Sequence, residues 1–272
     1  MIPPPGEIAV TALYRYPIKS CAGTPLDRAE LDPRGIRHDR EYLIVAAATG
    51  HFLTQRELPR MALIHPAIDG DALRIAAPGM PTIAVRPLHE GEARQVTVWR
   101  DACPAVDQGP EVAAWLSAFL GTDCRLVRMA DDHVRRVDPA YATSERDQVG
   151  FADGYPLLLI SQESLADLNA RLPEPLPMNR FRPNVVVAGG GAPYVEDGWR
   201  RLRIGPVDFA VVKACARCTI TTTDQQTAER GKEPLRTLAK YRRGRRGVLF
   251  GQNLIHAAAG ELRIGDGVTV VA

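Results

Sequence analysis

No stretch of the chain stays apolar for the roughly 18 to 20 consecutive residues that a bilayer-spanning helix requires. The longest apolar runs are pieces such as Leu157 to Ile160, so no membrane span is expected. Net charge is equally scarce. The 34 Lys and Arg against 32 Asp and Glu leave +2 over 272 residues, too little for a general polyanion binder. Aromatics supply only 6% and are not interleaved with the basic residues, as single-strand-binding barrels require, so no nucleic-acid partner is expected. Cysteine is sparse too. Five thiols spread along the chain argue against a disulfide framework and leave sulfur free to bind metal or to react. The opening Met1 to Gly6 has three prolines but no basic or apolar segment, so it does not read as a secretory signal and the expected compartment is the cytoplasm.

Apolar residues at 45% and charged residues at 24% are ordinary for a globular chain, while 23 Gly and 22 Pro favour many turns and short strands. A β-rich fold is expected. Strand patterns bounded by Gly, Pro or Asp appear at Ile8 to Tyr14, Glu41 to Ala46, Ala62 to Ile64, Leu73 to Ile75, Thr82 to Val85 and Gln95 to Trp99. Val112, Trp115, Leu116 and Phe119 fall at helical spacing before Gly121. The polar, charge-mixed stretch Arg128 to Gly150 reads as a boundary or mobile loop. Beyond it, Tyr155 to Ile160 reads as a strand and Ser161-Gln162-Glu163-Ser164 as the capped start of a helix. Further strands are expected at Val185 to Ala188, Trp199 to Ile204, Val207 to Val212, Thr219 to Thr223, Gly247 to Leu249 and Val268 to Val271. The fold class is therefore mainly β with some α (α+β), in two barrel-like domains divided as residues 1–130 and 131–272.

The chemistry gathers at Lys213-Ala214-Cys215-Ala216-Arg217-Cys218. A structural zinc site needs four ligands, yet Cys21, Cys103 and Cys124 are isolated and no His stands three to five residues from another. A thioredoxin-type dithiol needs a helix after its first Cys, whereas β-branched residues follow here. Buried packing is the plain alternative, and Arg217 between the thiols argues against it. Polar residues suited to an anion recur at Lys19-Ser20, Arg37, Arg40, Arg56 and Arg180-Phe181-Arg182-Pro183-Asn184. Arg182 and Asn184, two apart at a strand mouth, point to one face, one suited to an oxyanion and the other to a heterocycle edge.

These residues, with Tyr16-Pro17-Ile18-Lys19-Ser20, His38-Asp39-Arg40, Thr54-Gln55-Arg56, Thr222, Asp224 and Phe250-Gly251-Gln252-Asn253, carry a resemblance over nearly the whole chain. The second half resembles the MOSC domain, and the first half resembles the β-barrel domain that precedes it in the branch containing the mitochondrial amidoxime-reducing component and its bacterial relatives. The resemblance implies a molybdenum cofactor between the halves, with Cys218 as the metal ligand and Cys215 as a neighbour. It implies Lys19, Ser20, Arg40, Arg182 and Asn184 around the pterin and its phosphate, with Ala216 and Asn253 also lining the cofactor, and Gln55 and Arg56 toward the substrate. A soft thiolate suits such a metal, and arginines suit a phosphate.

The activity implied is reduction of N-hydroxylated compounds such as amidoximes, hydroxylamines and N-hydroxylated bases by removal of one oxygen, with no role for pyridoxal phosphate. No Cys follows Cys218, so an iron–sulfur domain of the kind some relatives carry is not expected. Electrons are then expected from a separate protein of flavoprotein, ferredoxin or cytochrome b5 type; Arg242 to Arg246 reads first as a solvated loop, with a docking patch for such a carrier as the alternative. The alternative is a sulfur or molybdenum cofactor carrier using Cys218.

Overall fold

The computed structural model describes residues 6–271; the Met1 to Pro5 segment and Ala272 lie outside the described residues. The architecture is a closed seven-stranded barrel beside an open half-barrel. Around the closed barrel run Leu157–Ser161, Val185–Ala188, Ile8–Arg15, Gly267–Val270, Arg201–Ile204, Val207–Arg217 and Gly247–His256, and the last pairs back onto the first. The half-barrel is an antiparallel sheet in the order Tyr42–Ala46, Cys124–Met129, Asp101–Asp107, Ala93–Val98, with helix Pro110–Leu120 against it.

The all-apolar strands owe their composition to burial on both faces. Leu157 and Leu159 point into the barrel core with Val10, Leu13 and Phe209, while Leu158 and Ile160 pack outside it with Leu168 of helix Gln162–Ala170. That helix joins the barrel's parallel pair, Leu157–Ser161 and Val185–Ala188, and its N-terminus is capped by Ser161, whose side chain accepts from Ser164 N–H. Leu43 and Val45 face one core of the half-barrel and Tyr42 and Ile44 the other.

Barrel closure depends on Gly251. Its φ is +83°, and a Cβ there would stand 2.7 Å from Ile160 Cγ1 and 2.9 Å from the Leu159 carbonyl oxygen, where Leu159 pairs with Gln252. This explains the glycine of the Phe-Gly-Gln-Asn motif without reference to ligand. We predict that Gly251→Ala costs roughly 2 kcal/mol or more from left-handed strain and overpacking combined, read as a lowered urea midpoint; an unchanged midpoint would refute the assignment.

Two expected strands are short 3₁₀ turns. Ala62 to Ile64 falls in and beside the turn Pro59–Leu63, which Pro59 opens with a preset φ. Thr219 to Thr223 forms the turn Thr219–Thr222, because Thr221 and Thr222 hydroxyls donate back to the carbonyls of Cys218 and Thr219 at 3.0 and 2.8 Å. Such local bonding outcompetes a strand ladder. The stretch read as a boundary or mobile loop is anchored: Arg128 and Met129 belong to Cys124–Met129, and buried Arg135 donates to the Gly150 and Ala152 carbonyls while pairing with Asp101.

The chain leaves the closed barrel after Arg15 and enters the half-barrel side through Tyr16 to Cys21, where Ile18 bridges to Tyr42. Onto this seam converge His38 to Arg40, Thr54 to Arg56, Phe181 to Asn184, the end of Val207–Arg217 and Asn253.

Candidate functional site

A wide cavity of about 1150 Å³ is lined by residues such as Arg15, Arg28, His38 and Arg86 and contains no cysteine. The chemistry lies in a smaller seam cleft of about 130 Å³ that collects Lys19, Ser20, Arg40, Arg56, Arg182, Asn184, Cys215, Ala216, Arg217, Cys218 and Asn253. Of the ten residues expected at the site, the structure brings nine together here.

Cys215, Ala216 and Arg217 end the long strand, and Cys218 continues extended at φ −113° and ψ 179° before the turn. Thr221 N–H and hydroxyl both donate to the Cys218 carbonyl, and Arg180 ties this turn down by donating to the Thr221 carbonyl at 3.0 Å and pairing with Asp224. The backbone at Cys218 is thereby fixed, while its half-buried Sγ accepts from Arg56 Nη2 at 3.3 Å. Cys215 Sγ instead lies 2.9 Å from Arg217 Nη1. Arg217 Nη2 donates to the Phe181 carbonyl, and its Nε is buried with no partner.

The opposite wall is organised by Tyr16. Its buried ring is flanked by the guanidiniums of Arg40 at 4.2 Å and Arg182 at 4.4 Å. Burial pushes the Tyr16 hydroxyl's pKa upward and the Arg182 guanidinium's down to about 10, so Arg182 remains a cation at neutral pH. Arg40 Nη1 donates to Asn184 Oδ1 at 3.0 Å and pairs with buried Asp39. Asn184 Oδ1 also accepts from Leu158 N–H, and its Nδ2 donates to the Tyr14 carbonyl, which leaves one N–H for any ligand. Asn184 therefore chiefly joins the strand mouth to Arg40. Asn253 Nδ2 donates to the Lys213 carbonyl.

Ser20, Arg40 and Arg182 all hold positive φ, at 66°, 48° and 56°. Non-glycine residues in this region cost on the order of 1–3 kcal/mol each. Three such residues line this one cleft, where the surrounding contacts hold the strained backbone. Lys19 is buried, and desolvation lowers its pKa despite the Asp153 carboxylate against its Nζ. For Asp153, desolvation pushes upward but is outweighed by Lys19, Arg56 and the Trp99 N–H, which hold the carboxyl well below its usual range.

Gln55 is the expected residue that does not reach the cleft. It is fully buried, donates to the Ser20 carbonyl at 2.7 Å, and bonds reciprocally with Gln225, because the turn after Thr54 directs Arg56 outward and Gln55 inward. It couples the two parts of the chain rather than meeting substrate. Sequence reasoning missed Asp153 and Tyr155 as lining the cleft, Tyr155 being expected only as the first residue of a strand. It also missed Trp99, the first residue of a two-residue hairpin turn, with φ 57° and 46% exposed. Gly, Asn or Asp normally occupies that position, and a bulky side chain there costs about 1–2 kcal/mol. Among the described residues no three His, Cys, Asp or Glu side chains form a metal-ligating group; Cys21, Cys103 and Cys124 are buried in the half-barrel cores, where desolvation pushes Cys21 up to about 12.

The fold and site define a two-part β-barrel protein whose seam presents two half-buried thiols, Cys215 and Cys218, among cations. Residues 7–123 match the MOSC N-terminal beta barrel domain and residues 146–269 match the MOSC domain. The chain is 34% identical to human mitochondrial amidoxime-reducing component 1 over 95% of its length and 82% of that protein, and 35% identical to bovine mitochondrial amidoxime reducing component 2 over the same shares. It is 32% identical to zebrafish (Danio rerio) molybdenum cofactor sulfurase, covering 92% of this chain but 32% of that protein. The chain belongs to the MOSC family, with both of its domains.

Proposed function

We propose that this protein holds a molybdenum cofactor at the seam through Cys218 and reduces N-hydroxylated compounds to the corresponding amines or amidines. The observation that carries the reading is the composition of the cleft wall. Five basic residues, Lys19, Arg40, Arg56, Arg182 and Arg217, face a single carboxylate, Asp153, around the half-buried thiols of Cys215 and Cys218. The orphaned Arg217 Nε adds a buried donor awaiting an acceptor. An anionic phosphate-bearing pterin with a thiolate-seeking metal fits this donor set. The names of the relatives, amidoxime-reducing component and molybdenum cofactor sulfurase, support the same cofactor class.

When bound, the cofactor supplies two-electron chemistry that removes oxygen from nitrogen, consuming two electrons and two protons and releasing water. Arg40 and Arg182 hold the pterin's anionic end, their spacing fixed by the Tyr16 ring between them. Arg56 sets positive charge beside the metal-binding sulfur. Lys19 Nζ lies against the Asp153 carboxylate at the cleft wall. Electrons enter from a separate flavoprotein, ferredoxin or cytochrome b5-type donor.

Molybdenum analysis and benzamidoxime turnover with reduced methyl viologen test the reading. Near-stoichiometric molybdenum with formation of benzamidine supports it; bound molybdenum or a persulfide on Cys218 without reduction would move the assignment to a cofactor or sulfur carrier. We further predict that Arg182→Ala lowers cofactor retention about tenfold or more, since a charge-assisted hydrogen bond contributes roughly 1.5–3 kcal/mol. Full molybdenum occupancy in that variant would contradict the role of Arg182.

A further inference from the structure

A half-exposed tryptophan in a strained turn needs a reason, and the turn itself supplies none. The hairpin joining Ala93–Val98 to Asp101–Asp107 closes with Trp99 and Arg100 alone, and positive φ falls on Trp99. A glycine would close it without strain. The other two tryptophans, Trp115 and Trp199, are 7% and 5% exposed; Trp99 is 46% exposed. Such an outlier, kept against local preference, points to function at that position.

The surroundings of Trp99 identify the function. Arg56, whose Nη2 donates to Cys218 Sγ, lies over the indole at 4.6 Å. Trp99 Nε1 donates to Asp153 Oδ1 at 3.2 Å, and Phe52 braces the ring edge-on at 5.2 Å. Arg56 and Asp153 both line the cleft. The open part of the indole is thus one guanidinium away from the metal-binding sulfur and is fixed on two sides. Resting on the reductase reading above, we propose that Trp99 is the substrate-recognition platform at the cleft mouth, selecting planar, delocalised N-hydroxylated amidines and heteroaromatic bases over saturated hydroxylamines. Flat π systems stack on the indole, and the Asp153 carboxylate accepts from an amidine N–H; a saturated hydroxylamine offers neither contact.

The test uses the cofactor-loaded protein with benzamidoxime and N-methylhydroxylamine as substrates and benzamidine as a planar ligand that is not reduced. Trp99→Gly relieves the turn, so its melting temperature is retained while KM for benzamidoxime and Kd for benzamidine rise about five- to tenfold, the size of one aromatic stack. KM for N-methylhydroxylamine and both kcat values stay within about twofold, and Trp99→Phe restores most of the planar preference. Benzamidine quenches tryptophan fluorescence in the wild type and not in Trp99→Gly. Equal KM changes for the two substrates, or benzamidine binding indifferent to Trp99, would overturn the platform while leaving the reductase reading intact. Trp99-dependent benzamidine binding in a protein that reduces nothing would do the reverse.

Discussion

Cys218→Ala is expected to lose molybdenum and turnover together, whereas Cys215→Ala keeps both. The geometry separates two thiols that the sequence presents as a pair. Cys218 follows the strand end, with its carbonyl held by Thr221 and its sulfur beside Arg56, a residue from the other part of the chain. Cys215 lies within the strand Val207–Arg217, its sulfur engaged by Arg217, which is itself anchored on the Phe181 carbonyl. Removing an outer partner of a metal ligand commonly costs 10–100-fold in affinity, and if Cys218 is the protein ligand, as proposed above, its removal should cost at least that. Elemental analysis of the two variants, prepared in the same molybdate-supplemented host, decides it. Equal molybdenum in both would assign the metal to no thiol of this pair.

The pairing of motif residues was legible in the sequence because each lies next to a local signal. Pro17 interrupts the first strand, Pro183 holds the mouth of Val185–Ala188, and the cysteines stand between two β-forming stretches. Burial on both faces made Leu157–Ser161 and Val185–Ala188 readable as apolar runs. What escaped reading was whatever tertiary contact decides. Asp101–Asp107 was missed because its hairpin turn carries Trp-Arg where a turn signal is normally Asn-Gly or Asp-Gly, and because Pro104 argues against a strand. Thr219–Thr222 had strand composition, but hydroxyl bonds to preceding carbonyls bent it into a turn, and that bend is what stops the backbone at Cys218. Gln55 and Arg56 are adjacent and alike in polarity. Only the fold shows one tied to Ser20 and Gln225 and the other facing the thiol. Asp153 gave no motif to follow, since its partners Lys19, Trp99 and Arg56 are all distant in the chain.

The second large effect is expected at Asp39, which touches neither thiol. Its buried carboxylate accepts the Tyr16 N–H at 2.8 Å and pairs with Arg40, so it fixes both the point where the chain leaves the barrel and one of the two guanidiniums on the Tyr16 ring. The backbone there is closely packed: Phe151 N–H donates to the Arg40 carbonyl, and a Cβ at Gly150 would meet that oxygen at 2.9 Å. Asp39→Ala leaves an uncompensated cation near Arg182, and breaking a buried pair from one side costs about 3–5 kcal/mol. That is a large share of a typical domain's 5–15 kcal/mol. Asp39→Asn keeps an acceptor for Tyr16 and should cost less. The cause can be isolated in a double-mutant cycle by urea denaturation, because once Arg40→Ala has removed the orphaned charge, Asp39→Ala should cost markedly less than in the wild-type background. An equal cost in both backgrounds would place the role of Asp39 in the Tyr16 turn alone and detach it from the cation wall of the cleft.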